Sequence, residues 1–380
     1  MLFALETISL HVTDNNNLSV PGRVTNADEL STGEIYRLLN ESSDLGTKYL
    51  VIDGGEPLIR KDIFDILNYA NDLGLSMEFY TNGTLITPDV AEKMFVADVN
   101  SVLFNMDYAD RSRFDRHSGV EGSYDNVISG MRALRKYPIF LGISTIVTPD
   151  NVNELDALMK VAIDEGLNMI RFVPRVSDSS RGSTAGALSQ QDWADITAAV
   201  VKCVDAHVDD IVYVDYRILP ESLDPIDFLT VSCNAGITWL NIFPDGSVRA
   251  CPFLPAENAN LKETSLKDVW FNHFNAIRTI QNESLPGRCK NCASISCRGG
   301  CVAERMSGGG ISGEQKICMR DVLKEGITDF DSMSIRKLTS GWYHMLYFKN
   351  QCCVRNIPVW VYPLKMREKH IRNMAENLTR

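Results

Sequence analysis

Over residues 1–200 the apolar positions fall into short runs that alternate with amphipathic stretches. Residues 5–12 are apolar and β-branched, and 48–52 repeat the type ahead of a helical stretch at 59–73. Further strand-type runs lie at 77–81, 101–106, 139–147 and 169–173. Amphipathic segments near 88–97, 123–136 and 151–166 separate them. Pro149-Asp150-Asn151 is a helix start in which Asp or Asn supplies the cap. Gly74, Gly142 and Gly166 stand where helices should end or strands begin. Six strands alternating with helices predict parallel βαβ units, closed into a barrel or left as an open sheet. In both arrangements ligands collect at the carboxyl ends of the strands, so chemistry is expected there.

The pattern breaks into Ser, Gly and Asp at 175–188, a loop. A long helix follows at 190–207, then a strand at 211–216 and a linker at 220–225. From Cys233 the grammar changes to short runs, tight turns such as Pro244-Asp245-Gly246, and dense cysteine. The tail from Thr328 is aromatic and basic. The expected organisation is therefore a βα domain at 1–225, a cysteine-rich domain at 226–327 and a C-terminal extension at 328–380.

Composition narrows the function. The 380 residues carry a net charge of −11, which argues against nucleic acid as a partner because phosphate contacts need concentrated Lys and Arg. No segment approaches the roughly 20 apolar residues of a membrane span. Met1–Glu6 shows no basic n-region, so the expected compartment is cytoplasmic, where clustered cysteines read as metal ligands. Of ten cysteines, only Cys203 precedes residue 233. Cys233, Cys251, Cys289, Cys292, Cys297, Cys301 and Cys318 exceed what one four-coordinate site takes. On spacing alone, zinc and iron–sulfur both remain open.

These seven cysteines, with Gly246 four residues ahead of Cys251, resemble the SPASM domain of radical S-adenosylmethionine (SAM) proteins. One spacing departs from that pattern, four residues instead of five between Cys292 and Cys297. The resemblance implies a partial (β/α)6 TIM-like barrel, an α/β fold, followed by a small cysteine-rich domain holding two auxiliary [4Fe-4S] clusters. It implies Cys233, Cys251 and Cys301 on the first cluster and Cys289, Cys292, Cys297 and Cys318 on the second. Cys352-Cys353 is read as a metal-free pair.

The barrel half carries the resemblance further. Gly54, Gly55, Glu56 and Pro57 close the second strand and look like the family's GGEP motif. That motif implies backbone and carboxylate acceptors for the methionine ammonium of SAM. Tyr80-Thr81-Asn82-Gly83-Thr84 and Asn105-Met106-Asp107 are similar to strand-end segments of the family. The family's C-x3-C-x2-C, laid over the loop after the first strand, falls on Asn16, Val20 and Arg23. Asn is a poor neutral ligand, Val none, and Arg a fixed cation without a lone pair to give. Arg23 is a candidate anion contact. His11 reads as a core histidine, Asp14 and Asn15 as turn residues, and Arg116-His117 as a surface pair in a loop.

The expected function is an iron–sulfur protein derived from radical SAM enzymes that has lost the SAM-cleaving cluster. Its roles would be electron transfer, substrate or peptide binding, or partnership with an active radical SAM enzyme or electron carrier. The alternatives are an active SPASM-type oxidoreductase or peptide or cofactor maturase with unusual cluster ligation, and a structural zinc protein. The expectation leans against SAM radical catalysis, and so against SAM as a working cofactor.

Overall fold

The computed structural model describes residues 4–19, 28–175, 188–206, 213–216, 235–257, 259–280, 284–285, 287–291, 299–307 and 310–313. Seven strands run in chain order: β1 (Thr7–His11), β2 (Tyr49–Asp53), β3 (Ser76–Thr81), β4 (Ser101–Asn105), β5 (Phe140–Val147), β6 (Met169–Pro174) and β7 (Tyr213–Tyr216). Each pairs in parallel with its predecessor. Between them lie α1 (Thr32–Asp44), α2 (Ile63–Asp72), α3 (Pro88–Val96), α4 (Arg111–Ser118), α5 (Ser123–Leu134), α6 (Leu155–Asp164) and α7 (Gln190–Ala206). The expected βα alternation is the observed one, and the 211–216 run joins the sheet as a seventh parallel strand.

The sheet continues in the other direction. β8 (Trp239–Ile242) lies parallel to β1, with Thr7 opposite Trp239, and β9 (Val248–Arg249) adds antiparallel to β8. Residues from the cysteine-rich part thus complete the sheet beside its first strand. Three short helices follow, α8 (Leu266–Asn272), α9 (Asn275–Arg278) and α10 (Val302–Ser307). Among the described residues no helix is long and apolar enough to cross a membrane.

Strand alternation divides the side chains between two faces. On β3, Met77 and Phe79 are fully buried in the large core beneath the helices, as are Ile8, Leu10, Leu50 and Ile52. Burying each such side chain contributes about 1.5–3 kcal/mol. The opposite, inner face is mixed. Leu103 and Met169 pack there with Tyr80 and Phe140. Gly142 sits inside β5, not at the boundary expected for it. A Cβ there would fall 2.4 Å from Met169 Cγ, so the missing side chain makes room for the inner cluster.

Between β1 and β5, two helices lie where no helix was expected. Ser31 and Glu34 form a reciprocal capping box that starts α1. Asp110 accepts from the Arg113 N–H to start α4, and left-handed Gly119 (φ 67°) ends it. Arg116 and His117 therefore belong to the last turn of a helix, not to a loop.

Candidate functional site: the mouth of the barrel

The loop after β1 and the loop after β2 are bound backbone to backbone. Gly55 N–H donates to the Thr13 carbonyl at 2.6 Å, and Glu56 N–H to the Asn15 carbonyl at 2.8 Å. Gly54 takes φ 134° and donates to Asp53 Oδ1, its neighbour at the end of β2. A Cβ on Gly55 would lie 1.7 Å from the Asn15 carbonyl oxygen. The two glycines allow this approach. Pro57 then opens a short 3-10 turn, Pro57–Ile59, capped by the Glu56 side chain through the Leu58 N–H.

Glu56 is fully buried. Its carboxylate accepts from the Thr81 hydroxyl at 2.9 and 3.0 Å and from the Asn82 N–H at 2.7 Å, which ties the end of β2 to the end of β3. Burial pushes its pKa up from 4.5 to about 7, against the downward pull of the Asn82 and Leu58 N–H groups and the Thr81 hydroxyl. The consequence for stability has a definite sign. Above 4.5 the unfolded chain releases this proton while the folded chain keeps it, so stability from this group falls as pH rises from 4.5 towards 7. Urea denaturation of the wild type should lose on the order of a few kcal/mol across that window relative to Glu56→Gln. Parallel pH profiles for the two proteins would show that Glu56 titrates normally.

Asparagines knit the rest of the mouth. Asn16 Nδ2 donates to the Gly55 carbonyl at 3.2 Å, and Asn16 Oδ1 accepts from the Leu18 N–H and from Asn82 Nδ2. Asn82 Nδ2 also reaches Asn17 Oδ1 at 2.9 Å, and Asn17 Nδ2 donates to the Thr84 hydroxyl at 2.8 Å. Asn82 Oδ1 accepts from both the Thr84 N–H and its hydroxyl, closing the circuit. Asn15 turns the chain on Thr13 Oγ1, and the Thr13 hydroxyl and Asp14 N–H both bond to Glu29. The turn roles expected of Asp14 and Asn15 hold.

Other mouth residues form smaller groups. The His11 ring stacks on Phe243 with centroids 4.5 Å apart, and its Nδ1 lies 3.8 Å from Asp53 Oδ2. The Arg249 guanidinium lies 4.3 Å from the Phe243 ring. Asp107 Oδ1 accepts from the Ile146 N–H, and Asp107 Oδ2 is 3.9 Å from His117 Nε2. Deeper in, a pair missed in the sequence crosses the inner face. Arg171 of β6 donates to Glu78 of β3 at 3.0 Å and to the Tyr80 hydroxyl, with both charged side chains buried. The readable signal was Ser76-Met77-Glu78-Phe79-Tyr80, where polar residues alternate with core residues in a strand flanked on both sides.

The cysteine-rich part is partly described. Cys251 follows β9 and Cys301 precedes α10, both packed against the core, and Cys289 ends a short 3-10 turn. Cys233, Cys292, Cys297 and Cys318 lie outside the described residues, as do Val20, Arg23, Cys352-Cys353 and the tail from Thr328. Among the described residues no group of three or more His, Cys, Asp or Glu assembles a metal site.

Comparison with known proteins agrees with this architecture. Residues 16–162 match the Radical SAM superfamily, and residues 233–293 match SPASM, an iron–sulfur cluster-binding domain. An AdoMet-dependent heme synthase of Methanosarcina barkeri is 26% identical over 319 residues, covering 77% of this chain and 87% of the relative. Mycofactocin maturase MftC of Mycobacterium tuberculosis is 29% identical over 322 residues, covering 80% and 77%. The crystal structure of Streptococcus suis SuiB bound to precursor peptide SuiA superposes with a TM-score of 0.67 at 16% identity, over 83% of this chain and 75% of that one. That likeness concerns the fold. The relatives carry the names of enzymes, and the expectation that leaned against catalysis finds no support in them.

Proposed function

We propose that this protein, built from radical SAM and SPASM domains, carries two auxiliary [4Fe-4S] clusters and engages a peptide or protein partner at its barrel mouth without itself cleaving SAM. The observation that carries this reading is the residue set of the mouth. No cysteine precedes Cys203, so the thiolates that would hold a SAM-cleaving cluster are not available there. Asn16, on the first of the three family positions, spends both side-chain atoms on hydrogen bonds within the protein. An amide, an alkyl group and a guanidinium do not make an iron–sulfur donor set.

The seven cysteines from Cys233 to Cys318 do fit iron–sulfur ligation by their chemistry, since thiolates are the ligands these clusters take. Cys233, Cys251 and Cys301 would hold one cluster, and Cys289, Cys292, Cys297 and Cys318 the other. When bound, the clusters would supply stored electrons. A peptide partner is supported by the relatives: a maturase by name, and a fold neighbour crystallised with its precursor peptide. The enzyme names also favour a second reading, an active maturase that ligates a third cluster in another way.

Metal and product analysis separates these. Anaerobically purified protein should contain about eight irons per chain and form no 5′-deoxyadenosine from SAM with dithionite. About twelve irons together with protein-dependent 5′-deoxyadenosine would establish the active maturase instead. Zinc in place of iron would leave a structural zinc protein.

A further inference from the structure

The mouth of the barrel is closed by bonds that need no metal. We infer that the amides of Asn16, Asn17 and Asn82 act as a metal-independent clasp that fastens the loop after β1 to the loops after β2 and β3. In doing so, Asn16 Nδ2 occupies the Gly55 carbonyl as an internal donor.

Asn82 has a 6% exposed residue surface, and it bridges Asn16 and Asn17 through one nitrogen while its oxygen holds Thr84. Asn16 joins three partners on three segments: Leu18 in its own loop, Gly55 after β2 and Asn82 after β3. Beneath this layer the backbone bonds Gly55 to Thr13 and Glu56 to Asn15 fix the same two loops, and Glu56 carries the link on to Thr81. The loops after β1 and β2 are therefore tied at both side-chain and main-chain level, and the loop after β3 is tied to them through side chains. A resident cluster is the usual means of ordering a ligand loop, because metal binding and folding are linked. Here the residue types at the loop offer amide donors and acceptors, and the amides complete one another. The Gly55 carbonyl, which faces the mouth from the GGEP segment, receives an N–H from within the chain.

This inference stands apart from whether the protein is an enzyme, and its test reads a different quantity from iron content. Hydrogen–deuterium exchange followed by mass spectrometry is run on the full chain, once as purified anaerobically and once stripped with a chelator. Peptides containing Leu18, Gly55, Glu56 and Thr84 report directly, because their N–H groups are the bonded ones. The expected result is the same protection at these amides with and without metal. Asn16→Asp keeps the size and the oxygen acceptor but removes the donor to Gly55. It should speed exchange at the Gly55 and Glu56 amides about fivefold in both preparations, the weight of one hydrogen bond, while Leu18, whose acceptor is kept, stays protected. Thr84→Val, which removes a peripheral link without threatening the fold, should act in the same direction. Loss of protection in the stripped wild type, or unchanged exchange in both variants, would overturn the clasp.

Discussion

Gly55→Ala should cost about 3 kcal/mol or more, read as a fall in the urea midpoint at constant slope. The reason is contact, since Gly55 is not among the residues with positive φ. Its missing Cβ would lie 1.7 Å from the Asn15 oxygen, 2.5 Å from the Asn15 carbon and 2.9 Å from the Asp14 carbon, all backbone atoms. Backbone cannot swing aside as a side chain does. The loop after β1 would have to lift, breaking the Gly55–Thr13 and Glu56–Asn15 bonds together. Gly46→Ala is the control. Gly46 has φ 92° but nothing within 4 Å of its Cβ position, so only conformational strain of about 1 kcal/mol is expected. Equal losses in the two variants would mean the loops are not packed as described.

Arg171→Met should be comparably severe, about 3–5 kcal/mol, because it strips the cation from a carboxylate that stays buried. Arg171 and Glu78 are 2% and 8% exposed at the side chain, so water cannot compensate Glu78 once its partner is gone. The double variant Arg171→Met with Glu78→Gln should recover most of the loss, since an amide is far cheaper to bury than a charge. Urea denaturation of the four proteins gives the coupling by a double-mutant cycle. A loss below about 1 kcal/mol for Arg171→Met alone would place the pair among solvated ion pairs instead.

Much of this architecture was legible in the sequence because it is local. Strands β1 to β6 announce themselves by apolar runs, and five helices by periodicity. What escaped did so for physical reasons. α1 contains Gly33, Asn40, Ser42 and Ser43, a loop-like composition that masks both its Ser31–Glu34 capping box and the helical spacing of Ile35, Leu38 and Leu39. α4 buries one large apolar residue, Phe114, so periodicity has nothing to register and the caps alone mark it. At the site, the Gly54–Pro57 segment could be read directly, as could the lack of any cysteine before Cys203. The asparagine circuit could not, because it joins residues 16, 17 and 82 through pairings that no spacing rule encodes. The same holds for Glu78 and Arg171, each an odd polar residue in its own strand until the sheet brings them together.

The position of β8 bears on how this chain comes to be folded at all. β1 leaves the ribosome well before one of its two neighbours, Trp239–Ile242, because all of β2 to β7 lies between them in the chain. Until then β1 can pair only with β2, and its other side presents bare N–H and C=O groups, the kind of edge that recruits foreign strands. Closing so distant a pair is slow, since loop entropy is spent before the contact rewards it. Synthesis therefore passes through a stage in which most of the barrel exists with an open seam. The segment that seals the seam is flanked by Cys233 and Cys251, so maturation of the cysteine-rich part and protection of the nascent barrel share one stretch of chain.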